Sequence, residues 1–234
     1  MKLCIFNSAE EVLQCLSKNL ASCMEKHDAP FHLALSGGST ARMMFEFWAE
    51  KCKGNIHWEQ LRFYWVDERC VAPDDEESNF KYAEDLLFRP LGIPAEHICR
   101  IRGEERPEME AEHYSELVRR SLPDFSGLPR FDGIILGMGE DGHTASIFPE
   151  CPELLTDKRC YAVTRHPQTG QKRITMTGTL ILNGKNIWMP VVGTRKTAVL
   201  QKAISTTWPG DWPVAYIISH AREVIVFTDS GIEL

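Results

Sequence analysis

Residues Phe131 to Ser146 read Phe-Asp-Gly-Ile-Ile-Leu-Gly-Met-Gly-Glu-Asp-Gly-His-Thr-Ala-Ser. The apolar run Gly133 to Leu136 is short and shows no polar alternation, which marks a strand buried on both faces. It stops at Gly137, Gly139 and Gly142, which are interleaved with Glu140, Asp141 and His143. Glycine lets the backbone turn sharply beside a ligand. Histidine is the side chain best suited to take up and return a proton near neutrality. A lone loop histidine is usually bonded to nearby backbone. The glycine density and the place past a central strand favour a base here. Asp141, two residues earlier, stands either to set the tautomer of His143 or to contact a substrate.

Working outward, strands and helices alternate. Residues 8 to 26 read as a helix, with Ser8 as cap, Glu10 and Glu11 in the first turn and Val12, Leu13, Leu16 and Leu20 as an apolar stripe. Phe31 to Leu35 is a strand, Ser36 to Thr40 a turn, and about Ala41 to Cys52 a helix. Arg62 to Val66 is a second strand. Ser78 to Phe88 and Glu108 to Ser121 read as helices. Beyond the central strand, Tyr161 to Thr164, Ile187 to Val192 and Val224 to Thr228 read as strands, with a helix around Lys196 to Ile204. Residues 174 to 182 read as a strand that breaks near Gly178. The alternation predicts an α/β fold, a mostly parallel sheet with helices on both faces. Ligands of such sheets bind beyond the carboxyl ends of the strands. No repeat or long flexible linker interrupts the chain, so residues 1 to 234 are expected to form a single domain.

The formal net charge of −7 over 234 residues argues against a nucleic-acid or anionic-membrane partner, since both require a basic footprint. An anionic substrate must then meet a local positive pocket. The eight cysteines include no C-x-x-C pair. The N-terminus lacks the apolar core of a signal peptide, and no apolar run approaches membrane-spanning length. A reduced, soluble, cytoplasmic protein is expected.

Three further motifs fall at strand ends. Ser36-Gly37-Gly38-Ser39-Thr40 joins a strand to a helix start. Unpaired first-turn N–H groups and the positive end of the helix dipole make such a junction an anion site. No Gly-Lys-Ser/Thr follows, so it is not a Walker A loop. The plain reading is a tight turn capped by Ser39. Asp67-Glu68-Arg69 follows the second strand. Asp67 is placed to orient a base or accept a hydroxyl, and Arg69 to bind a phosphate or an oxyanion. The acidic run Asp74 to Glu77 reads as a solvated face, Ser78 as a cap, and Asn79 carries no signal of its own. Arg173 opens the Thr-rich stretch Arg-Ile-Thr-Met-Thr-Gly-Thr. Gly193-Thr194-Arg195-Lys196 opens a helix, where a cation opposes the dipole unless an anion sits between them. Ser146 lacks a G-x-S-x-G elbow and is a poor nucleophile candidate. Trp208, Trp212 and Pro213 read as core packing or, more boldly, a subunit contact.

Taken together, LALSGGST, FYWVDERCVAPDDEESNFKYAEDLLF, FDGIILGMGEDGHTASIFP, RITMT, VVGTRKTAVLQKAI and WPVAYIISHAREVIVFTD resemble the 6-phosphogluconolactonase family, in family order and over nearly the whole chain. Ala41 stands where proline commonly follows the Gly-Gly-Ser-Thr loop, and Thr197 where alanine often follows the lysine. The resemblance implies a modified Rossmann-like sheet, similar to glucosamine-6-phosphate deaminases and ribose-5-phosphate isomerases. It implies hydrolysis of 6-phospho-D-glucono-1,5-lactone in the pentose phosphate pathway, without cofactor or metal. The sugar phosphate would rest on Gly37, Gly38, Ser39, Thr40, Arg173 and Lys196. His143 would act as base and Arg69 as oxyanion donor, with Asp67 and Asp141 orienting His143 or gripping hydroxyls. A monomer or weak homodimer is expected. The rivals are a glucosamine-6-phosphate deaminase, whose relatives usually read Asp-Glu-Tyr in place of Asp67-Glu68-Arg69, and a non-catalytic sugar-phosphate sensor.

Overall fold

The computed structural model describes residues 1–27, 30–205 and 212–229. The chain opens with β1 (Lys2–Ile5), followed by α1 (Ala9–Met24). Ser8 caps α1 by accepting the Glu11 N–H at 3.2 Å, and Val12, Leu13, Leu16 and Leu20 are buried, as the periodicity predicts. Next come β2 (Phe31–Leu35), α2 (Ser39–Lys51), β3 (Leu61–Trp65) and β4 (Asp67–Arg69). Helix α3 (Asn79–Ala83) widens into a π turn at Glu84–Phe88 and ends in α4 (Arg89–Leu91). Helix α5 (Pro107–Ser121) leads to a small hairpin of β5 (Asp124–Phe125) and β6 (Leu128–Pro129), then to β7 (Gly133–Ile135). The chain continues with β8 (Tyr161–Arg165), β9 (Lys172–Met176), α6 (Gly178–Asn183), β10 (Ile187–Val191), α7 (Thr194–Ser205), α8 (Pro213–His220) and β11 (Val224–Thr228).

Six strands form the main sheet in the order β1-β11-β10-β7-β2-β3, and every neighbouring pair is parallel. All residues of β7 and β10 are buried, as expected of parallel strands covered on both faces. From β2 the chain passes to β3 on one side. From β7 it passes, by way of a second sheet, to β10 on the other. The loops leaving β2 and β7 therefore diverge and leave a crevice at their carboxyl ends, the place where open α/β sheets take ligands.

Three expectations need correction. Tyr161–Arg165 does not join the parallel sheet. It pairs antiparallel with β9, which pairs antiparallel with β4 in a separate three-stranded sheet. The turn at residues 166–171 is short, and a short connection allows only antiparallel pairing. Asp67–Arg69 does not simply trail the second strand but forms a strand of that second sheet. Val66 joins the two sheets, donating its N–H to Leu35 O at 2.9 Å and accepting the Met176 N–H at 2.7 Å. Beyond Gly178 the chain is helical. The Thr177 hydroxyl accepts the Leu180 N–H at 3.4 Å and caps α6. β1 escapes the sequence reading because its four residues are half-buried or exposed and show no run of burial. No described helix is long and apolar enough to cross a membrane.

Candidate active site

The β2 and β7 loops are stitched together where they part. Ser36 Oγ donates to Ile135 O at 2.8 Å and accepts the Gly137 N–H at 3.0 Å. Above this junction lies a cleft of about 280 Å³. It is bordered by Gly37, Gly38, Ser39, Thr40, Asp67, Arg69, His143, Arg173 and Lys196. Of the site residues named from sequence, Asp141 alone stands back from the cleft, behind His143.

The β2 loop forms the floor. Gly38 has φ of 88°, a left-handed conformation that favours glycine, and it takes the capping position of α2. Ser39 is therefore the first helical residue rather than the cap, which corrects the plain reading of this turn. No acidic residue occupies the first turn of α2, so its positive end meets no protein carboxylate of its own. Across the cleft, Lys196 Nζ donates to Thr40 Oγ1 at 3.1 Å. Burial pushes the Lys196 ammonium below the usual lysine range. A half-buried cation over a helix N-terminus is unfavourable until an anion lies between them.

The wall comes from the second sheet. Its register sets Arg69 directly opposite Arg173. Like charges facing across a ladder repel. Burial, and then the Arg69 charge, push the Arg173 guanidinium down from the usual arginine range. The Nε atoms of both arginines are buried, with no partner among the described residues. Arg69 Nη1 donates to Glu77 O at 2.5 Å, and Arg173 Nη1 to Ser146 Oγ at 3.4 Å. Asp67, only 5% exposed, accepts the Ser146 hydroxyl on Oδ2 at 2.6 Å.

His143 comes from the β7 loop. Its Nδ1 lies 2.5 Å from Asp141 Oδ1, and the same oxygen accepts the His143 backbone N–H at 3.2 Å. A carboxylate oxygen only accepts, so Nδ1 carries a proton, and in the neutral imidazole the lone pair is left on Nε2. Burial raises the Asp141 carboxyl. The hydrogen bond and charge of His143 outweigh that effect and bring it to about 2. The imidazole also packs on Phe148, with ring centroids 5.0 Å apart. A general base oriented by a carboxylate, beside cations fit for a phosphate and an oxyanion, is the apparatus of ester hydrolysis. Among the described residues no cluster of three or more His, Cys, Asp or Glu is arranged to hold a metal ion.

The family model for glucosamine-6-phosphate isomerases/6-phosphogluconolactonase matches residues 7–226. The chain belongs to that family. The 6-phosphogluconolactonase of Treponema pallidum is 43% identical over 205 residues, which cover 88% of this chain and 85% of that protein. The crystal structure of the devB protein matches with a TM-score of 0.89 at 37% identity, covering 97% of this chain and 95% of that one. The 6-phosphogluconolactonase from Shewanella baltica matches with a TM-score of 0.82 at 26% identity, covering 97% of each chain.

Within this member of the glucosamine-6-phosphate isomerase/6-phosphogluconolactonase family, the two aspartates left open by the sequence separate. Asp141 orients His143, and Asp67 bonds Ser146 instead. Three residues were passed over. Glu68 is 2% exposed, and its carboxylate accepts the N–H groups of Arg69, Asn79 and Phe80, each at 2.8 Å, and the Ser78 hydroxyl at 3.1 Å. Burial pushes it up to about 7 against the pull of those N–H groups. It ties β4 to the start of α3. Ser146 joins Asp67 to Arg173. Asn79 borders the cleft and donates Nδ2 to Asp67 O at 2.9 Å. The Asp67 and Arg173 contacts arise between distant segments, and local spacing carries no trace of them. Ala145, which precedes Ser146, has φ of 51°, in the left-handed region that residues with a Cβ rarely adopt. Trp208 lies outside the described residues. Trp212 is half-buried in a loop contact: a side chain on Gly142 would strike its ring.

Proposed function

We propose that this chain hydrolyses 6-phospho-D-glucono-1,5-lactone to 6-phosphogluconate, the reaction named by its relatives. The observation that carries the reading is the His143–Asp141 pair opening on the same cleft as the Gly37–Thr40 loop and Lys196. The phosphate rests on Gly37, Gly38, Ser39 and Thr40, with Arg173 and Lys196 supplying charge. His143 Nε2 takes a proton from water as the water oxygen attacks C1. Arg69 stabilises the tetrahedral oxyanion. The C1–O bond of the ring then breaks, and the imidazolium returns its proton to the departing ring oxygen. The new acid ionises and releases one proton to solvent. Asp141 holds the Nδ1 proton throughout. A general base is worth about 10²–10⁴-fold and one oxyanion donor about 10²–10³-fold. A reactive δ-lactone requires no covalent nucleophile or cofactor. We read residues 1 to 234 as one domain, acting in the cytoplasm as a monomer or weak homodimer.

The test feeds two substrates to the protein. Freshly generated lactone is followed by acid release above its spontaneous rate, and glucosamine 6-phosphate by ammonia release. Accelerated acid release without ammonia supports the lactonase. Ammonia without accelerated acid release assigns the chain to the deaminases, and neither product leaves a non-catalytic sugar-phosphate binder.

A further inference from the structure

We propose that Asn79 is a further substrate-binding residue, its Oδ1 accepting a hydrogen bond from the 4-hydroxyl of the lactone, the ring hydroxyl nearest the phosphate. The inference rests on the lactonase reading. Asn79 is 2% exposed yet borders the cleft. It is held on two sides. Its backbone N–H donates to Glu68 Oε1 at 2.8 Å, and Nδ2 donates to the Asp67 carbonyl at 2.9 Å. A carbonyl only accepts, so this contact decides the amide orientation: nitrogen towards Asp67, oxygen the other way. The oxygen lies against Gly37, where a Cβ would overlap it. Among the described residues nothing donates to Oδ1. The result is a pre-aimed acceptor, nine-tenths buried, beside the first glycine of the phosphate loop.

Its chemistry selects what it can bind. A phosphate dianion has no hydrogen to give, and a carbonyl oxygen repels it. A hydroxyl donates, and a site built around one buried acceptor rejects analogues that lack the donor. With the phosphate on the Gly37–Thr40 loop and C1 at His143, the hydroxyl on the carbon next to the phosphate-bearing arm falls nearest Gly37.

The experiment measures kcat/KM of wild type and Asn79→Ala on 6-phosphogluconolactone and on its 4-deoxy analogue, with thermal melting to verify folding. Wild type is expected to lose about tenfold on the 4-deoxy substrate. Asn79→Ala is expected to lose about tenfold on the parent lactone and to handle the two substrates within about twofold of each other. If Asn79 only tethers β4 to α3, the variant slows on both substrates equally and keeps the tenfold ratio, which overturns the inference. A wild type indifferent to the 4-hydroxyl overturns it as well. A wild type inactive on the parent lactone removes the lactonase reading first, and this inference with it. Should the alanine variant fail to fold, Asn79→Leu, close in shape to asparagine and without any acceptor, is read in the same way.

Discussion

Asp141→Asn isolates one contribution to the chemistry. Both the His143 backbone N–H and Nδ1 converge on the same Oδ1. An asparagine there keeps its oxygen towards them and turns its NH₂ outward, so the imidazole tautomer is preserved while the charge is lost. The coupling between the two side chains helps to bring the Asp141 carboxyl from 3.8 to about 2. Asp141 is half-exposed, so solvent screens the pair, and the discounted worth of the charge is about 1 kcal/mol. That charge favours the imidazolium formed in the transition state. Asparagine is therefore expected to lower kcat about fivefold to tenfold with KM little changed. Asp141→Ala also loses the orientation and falls about 10² further or more. The sign of the stability effect follows from the depressed carboxyl. Asp141 contributes stability above about pH 4, and the contribution fades as pH falls towards 2; the asparagine variant lacks that loss. Steady-state acid release and melting curves across this range read both effects. Unchanged kcat in Asp141→Asn refutes the electrostatic assistance. A loss equal to that of His143→Ala shows that the carboxylate does more than assist.

Three other variants probe the rest of the cleft. His143→Ala is expected to lower kcat about 10²–10⁴-fold with KM within about threefold, measured by acid release. Gly37→Ala places a methyl group on the Asn79 amide; overpacking of about 1–3 kcal/mol should lower the Tm by about 2–10 °C and raise KM. Lys196→Met removes a charge that burial already disfavours. It should raise the Tm of the ligand-free protein while raising KM about 10–100-fold. Because the Lys196 ammonium is depressed in the folded state, wild-type stability gains with rising pH as the folded-state lysine deprotonates, up to the ordinary lysine range, and the methionine variant loses that gain.

What was legible in the sequence was what local chemistry decides. Phe31–Leu35, Gly133–Ile135 and Ile187–Val191 read correctly because a strand covered on both faces is almost wholly apolar, the half-buried His32 being the exception in β2. Ser8 and Ser78 read correctly because capping is a contact over three residues. The second sheet did not, because Asp67–Arg69 is three residues long and its partner Arg173 lies far along the chain. The Ile and Thr residues after Arg173 marked a strand and Gly178 its break; that a helix follows was not legible, because it starts from the cap supplied by the Thr177 hydroxyl. At the site, glycines beside charges at strand ends revealed most of the cleft. The division between Asp67 and Asp141 stayed hidden because it depends on Ser146, and Asn79 was silent because its place is set by contacts with Asp67, Glu68 and Gly37, which lie 11 or more positions away in the sequence.

A structure of the protein with 6-phosphogluconate tests the spatial arrangement most directly. The phosphate is predicted over Gly37–Thr40 with Lys196 in contact, and the C1 carboxylate within one water of His143 Nε2. A phosphate seated at the imidazole, or Nε2 beyond reach of C1 with the phosphate in its loop, would contradict the account.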